Sequence, residues 1–83
     1  MNPTASEPER VKAALTLLGI YAGAPLVDDG ATRARHLEEI GVSSLALASV
    51  VVELEERLDR EFDFAAFANV RTVGDLLAAV GLG

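Results

Sequence analysis

No cysteine occurs in the 83 residues. Disulfides, thiolate metal sites and a cysteine nucleophile are thereby excluded, and any thiol chemistry needs a sulfur from outside the chain. Tryptophan is absent and histidine occurs once, as His36. A single histidine with no nucleophile pattern around it does not make a catalytic site. No group of metal-ligand residues stands out either, so the expectation is a protein that is not an enzyme. Basic residues are few, seven against 13 acidic ones, for a formal net charge of −6. Nucleic acid is therefore not an expected partner, because phosphate binding needs a basic face. No apolar run reaches the ~20 residues that span a bilayer. The opening Met1-Asn2-Pro3-Thr4 lacks the basic and apolar regions of a signal peptide. A cytoplasmic location with no membrane partner is the expectation.

What is present suits one small domain over residues 1–83, structured from about 6 to 80. Apolar residues make up 51% of the chain, enough for a core, although a chain this short buries only ~60% of its unfolded surface. Ser6-Glu7-Pro8-Glu9 reads as a capping box. Val11, Ala14, Leu15 and Leu18 follow at helical spacing, so a helix is expected from about Glu7 to Leu18, ending near Gly19. From Ile20 to Ser43 no period lasts. Leu26, Val27, Leu37 and Ile40 are expected to pin this long loop to the core, with a short helical turn around Arg33 to Glu39. Asp28-Asp29-Gly30 is too short for a calcium loop and reads as a turn.

The strongest segment runs from Ser44 to about Glu61, with Leu47, Val50, Val51, Leu54 and Leu58 on one face. Ser43 and Ser44 both suit its N-cap. A turn or two of helix is expected across Phe62, Phe64 and Phe67, whose rings read as core. Thr72, with Asp75 three residues on, caps a last helix whose apolar face is Val73, Leu76, Leu77 and Val80, with Gly81 as its stop. No segment alternates with period two. The expected fold is all-α: a small bundle of three main helices, a short helix before the last, and a long loop between the first and second.

The long helix has a second apolar face. Leu45 and Val52 lie nearly opposite the core stripe, with Ala48 and Ser49 near them and Glu56, Asp59 and Arg60 continuing that side. Either the short third helix covers this patch, or it is a binding surface with a polar rim.

The run Leu37-Glu38-Glu39-Ile40-Gly41-Val42-Ser43-Ser44-Leu45 resembles the modification site of acyl carrier proteins, Leu-Gly-x-Asp-Ser-Leu. Leu54-Glu55-Glu56 resembles a segment of that family's second helix, and Thr72-Val73-Gly74-Asp75-Leu76 the start of its last. The resemblance spans about Arg10 to Val80. It implies a free-standing carrier, with acyl intermediates held as thioesters on a 4′-phosphopantetheine arm derived from coenzyme A and attached to Ser44. Without the resemblance, both serines would be read simply as caps. The second apolar face beside that serine and the acidic residues along the same helix make Leu45, Ala48, Ser49, Val52, Glu53 and Glu56 the expected docking surface for partner enzymes. The partners implied are a phosphopantetheinyl transferase and acyltransferase, ketosynthase or adenylation-type loading enzymes, serving a monomer.

Three positions depart from the pattern. Ser43 stands where the family has aspartate, His36 where it has an aromatic residue, and Ser49 where fatty-acid carriers often have an acidic docking residue. Polyketide or other specialised metabolism is the favoured setting, with antibiotic biosynthesis among its outlets. The alternatives are an aminoacyl or peptidyl carrier of nonribosomal-peptide type, which more typically shows a Gly-Gly pair before the serine, and an unmodified carrier-like interaction module. A basic partner surface complements the acidic chain.

Overall fold

A serine followed by proline within the first helical turn sets the first element. The Ser6 hydroxyl accepts from the Glu9 N–H at 3.3 Å and donates to the Glu9 carboxylate at 3.0 Å. The structure, a computed structural model, describes residues 6–82. Helix α1 spans Glu7–Ala22, three residues beyond the end expected near Gly19. Gly19 stays helical and buried because the following chain packs on it. A Cβ there would meet the Ala24 carbonyl oxygen at 3.0 Å. Gly23, at φ 79°, takes the left-handed turn that ends the helix, its N–H reaching the Gly19 carbonyl.

The long connection is not a bare loop. Helix α2 spans Gly30–Ala34, and a 310 turn spans Glu38–Ile40. The single helical turn expected around Arg33 to Glu39 is therefore two short elements with Arg35, His36 and Leu37 between them. Asp28-Asp29-Gly30, expected as a turn, begins α2. Asp29 accepts from the Thr32 N–H at 2.7 Å as N-cap, and Asp28 pairs with Arg33 at 2.7 Å. Leu37, Ile40 and Val42 are buried and Leu26 packs at the core's edge, but Val27 is 67% exposed and pins nothing.

Helix α3 spans Ser44–Leu58, three residues short of the expected end. Asp59 adopts φ 51° and turns the chain out, a conformation aspartate tolerates better than most residues. The Glu55 carboxylate then accepts the Phe62 N–H at 2.9 Å. The short helix expected before the last is one 310 turn, Phe64–Phe67. Phe62 and Phe67 are core, edge to face at 5.9 Å between ring centres, whereas Phe64 is 54% exposed.

Helix α4 spans Val73–Leu82 and runs through Gly81, which is no stop. Its N-terminus is closed reciprocally. The Asp75 N–H donates to the Thr72 hydroxyl, and the Thr72 and Arg71 N–H groups both donate to the Asp75 carboxylate, each at 3.1 Å. At the other end the Arg10 guanidinium donates to the Val80 and Gly81 carbonyls at 3.1 and 2.6 Å. Cationic donors at a helix C-terminus satisfy carbonyls that have no partner within the helix.

All regular structure among the described residues is helical. The core gathers Ala14, Leu17 and Leu18 of α1, Val50, Val51 and Leu54 of α3, and Val73, Leu76, Leu77 and Val80 of α4. The expected all-α bundle is borne out, with its fourth α-helix inside the long connection rather than before the last helix.

The caps set the acid limit of the fold. The Arg71 and Thr72 N–H groups hold the Asp75 carboxyl below its ordinary 3.8, and the Thr32 N–H does the same for Asp29. A depressed folded pKa gives stability that is complete above pH 3.8 and lost as pH falls through the folded value. Melting temperature is expected to fall steadily below about pH 4. Asp75→Ala should lower the melting temperature at neutral pH, because two N–H groups lose their acceptor, and flatten that fall. An unchanged acid slope in the variant would show that Asp75 does not set it.

Candidate functional site

The start of α3 is built by the chain before it. The 310 turn ends at Gly41 with φ 88°, and the Val42 N–H returns to the Leu37 carbonyl at 2.9 Å. This buries Val42 and delivers Ser43 at extended φ and ψ, as an N-cap requires. The Ser43 hydroxyl accepts from the Ala46 N–H at 3.2 Å, and its carbonyl accepts from the Leu47 N–H at 2.8 Å. Of the two serines, Ser43 is thus the cap. Ser44 is the first residue of α3 and is exposed. The helix N-terminus around it carries unpaired N–H groups and the positive end of the dipole.

A recess of about 500 Å3 opens beside Ser44. Its walls are His36, Leu37, Glu38, Glu39 and Val42 from the connection, Ser43, Ser44 and Leu47 from α3, and Ala68, Val70 and Arg71 from the chain before α4. His36 sits on its edge as an exposed side chain; its backbone N–H donates to the Glu39 carboxylate at 2.9 Å, and its backbone bridges to Thr72. No group of three or more candidate metal ligands exists among the described residues, and no helix among them is long and apolar enough to cross a membrane.

The outer face of α3 is uncovered. Leu45 is 81% exposed and Val52 44% exposed, so the 310 turn Phe64–Phe67 does not lie over them. They share a shallow hollow of about 390 Å3 with Ala48, Ser49, Glu53 and Tyr21. Glu56 lies outside it, in a smaller hollow with Leu17, Glu53 and Arg57. Five of the six residues expected on a docking surface are therefore contiguous. Tyr21 was not foreseen, because the end of α1 had been placed two residues before it. Its hydroxyl donates to the Glu53 carboxylate at 3.1 Å, with Ser49 also bearing on the phenol.

A larger hollow lies elsewhere. It measures about 920 Å3, runs along α1 from Pro8 to Gly23 under the connection, and includes no residue of α3.

A family model described as a phosphopantetheine attachment site matches residues 15–80. Neither a curated protein nor a solved structure matches the chain.

Tyr21 offers a clean optical test of this face. It is the only tyrosine, and there is no tryptophan, so tyrosinate absorbance reports it alone. Partial desolvation first, then the hydrogen bond and charge of Glu53, hold the phenol above its ordinary 10.0. A raised folded pKa gives stability that is complete below pH 10 and lost as pH rises through the folded value. The expected titration midpoint lies above 10 in the native chain and falls in Glu53→Gln. Equal midpoints in the two proteins would remove Glu53 as a cause.

Proposed function

We propose, since the chain belongs to the phosphopantetheine attachment site family, that it is a carrier whose prosthetic group is borne by Ser44. The observation that supports this residue over its neighbour is the division of labour at the start of α3. Ser43 is occupied as the cap, and Ser44 presents an exposed hydroxyl on the first helical residue. The residues present fit the group. The serine oxygen would become one ester oxygen of a phosphodiester, and the positive end of a 15-residue helix favours an anion there. Leu37, Val42 and Leu47 give the adjoining recess an apolar wall, and its polar side carries Arg71 and His36 together with Glu38 and Glu39. When bound, the group supplies the terminal thiol that the chain itself lacks.

The role of the protein is then to present and to be recognised, and the chemistry on the cargo belongs to other enzymes. Leu45, Ala48, Ser49, Val52, Glu53 and Glu56 are proposed as the surface those enzymes contact. Leu45 follows the serine directly, so a bound partner would have its catalytic groups near the attachment point. The cargo is proposed to be an acyl chain of specialised, polyketide-type metabolism, on the strength of the run Gly41-Val42-Ser43-Ser44-Leu45. The described residues form one domain in this reading, acting as a monomer in the cytoplasm.

Incubation with coenzyme A and a broad-specificity phosphopantetheinyl transferase, followed by intact-mass measurement, tests the assignment. Wild-type protein and Ser43→Ala should gain the mass of the group. Ser44→Ala should gain nothing while keeping its helical circular dichroism. Loss of the cap should cost Ser43→Ala about 1 kcal/mol, and Ser44→Ala much less. Modification of Ser44→Ala but not of Ser43→Ala would reverse the assignment.

A further inference from the structure

The hollow on the outer face of α3 contains one charged group, the Glu53 carboxylate, and its apolar lining is Leu45, Ala48 and Val52. A glutamate on an exposed helix face ordinarily samples many rotamers. An exposed ion pair made by such a side chain is worth little, because the pairing must order it. Here the ordering is done in advance. Tyr21 comes from a different helix, packs at the edge of the core, and donates its hydroxyl to Glu53 at 3.1 Å. The carboxylate is thereby fixed beside an apolar depression that begins at the residue after Ser44.

Building on the carrier reading, we propose that Tyr21 is a positioning residue for partner recognition. It holds Glu53 so that the surface selects a partner presenting one apolar side chain with a cationic side chain next to it. The apolar group enters the hollow against Leu45 and Val52, and the cation meets Glu53. The net charge of −6 favours the approach of such a basic partner, and the fixed pair sets its register along α3. A buried apolar anchor with a polar rim is the arrangement that concentrates binding energy at protein interfaces. Fixing the rim charge beforehand lowers the ordering cost of binding. The first partner bound this way is the phosphopantetheinyl transferase, which must bring its active site to Ser44.

Steady-state modification by that transferase, with coenzyme A and intact-mass detection, is the test. Tyr21→Phe keeps the ring and removes only the hydroxyl. It should raise KM for the carrier about two- to tenfold, the worth of one hydrogen bond, with kcat and melting temperature unchanged. Glu53→Gln should do the same, and the double variant should be no worse than either single one, because the phenol acts through the carboxylate. Raising salt should narrow the gap between wild type and Glu53→Gln, since exposed charges are screened over ~8 Å at physiological ionic strength. Val52→Asp should raise KM without lowering the melting temperature. A wild-type KM in Tyr21→Phe, or penalties that multiply in the double variant, would overturn the role of Tyr21. A wild-type KM in Val52→Asp would overturn the hollow as the anchor site. Failure of the Ser44 assignment looks different: the mass gain would then persist in Ser44→Ala or be missing from the wild type.

Discussion

Two backbone hydrogen bonds hold the rest in place. The Leu37 N–H donates to the Arg71 carbonyl at 2.9 Å, and the Val73 N–H donates to the Arg35 carbonyl at 3.0 Å. They form an isolated antiparallel bridge around His36 and Thr72, and they fasten the middle of the long connection to the N-terminus of α4. Without them Leu37 would have no fixed place in the core. The Leu37 carbonyl accepts from both the Ile40 and Val42 N–H groups, so the turn that ends in Ser43 is anchored on that one residue. The position of Ser44 thus depends on contacts more than 25 residues further along the chain, at Arg71 and Thr72. The Asp75 carboxylate, which closes the same α4 terminus, is part of that support.

From this frame α3 offers two surfaces, lined by different residues. Ser43, Ser44 and Leu47 border the recess shared with the connection and the chain before α4. Leu45, Ala48, Ser49, Val52 and Glu53 border the hollow shared with Tyr21 of α1. One helix start can in this way serve a covalently held group on one side and a visiting protein on the other. The helix has room for both because its remaining face holds its fully buried residues, Val50, Val51, Leu54 and Leu58. The acidic side chains follow the same partition: Glu53 and Glu56 are exposed, where they cost little desolvation and remain available to a basic surface.

Much of this was legible in the order of residues. Helical spacing located α1, α3 and α4, and cap chemistry marked their starts at Ser6, Ser43 and Thr72. The place of Leu45 and Val52 opposite the core stripe followed from the wheel, but whether anything covered them depended on a tertiary contact that the wheel does not contain. The helix ends were misplaced for physical reasons that lie outside local pattern. Gly19 looked like a terminator, yet its bare Cα is needed for the approach of Ala24. Asp59 did not look like one, yet it takes the left-handed turn. Val27 and Phe64 were apolar and therefore expected inside, but both lie exposed in short connecting segments. Tyr21 was the most consequential omission. Its partnership with Glu53 joins residues 32 apart in sequence, and no spacing rule within one helix could have found it.

Helix α2 buries none of its side chains, but it is seated firmly at one point. Gly74 on α4 leaves room for the Arg33 backbone, and a Cβ there would come within 3.0 Å of the Arg33 carbonyl oxygen. Any side chain larger than hydrogen at position 74 would push α2 away. Arg33 is also held by the ion pair of its guanidinium with Asp28 at 2.7 Å. The seat of α2, next to the segment that positions Ser44, therefore rests on one small residue of the helix beneath it.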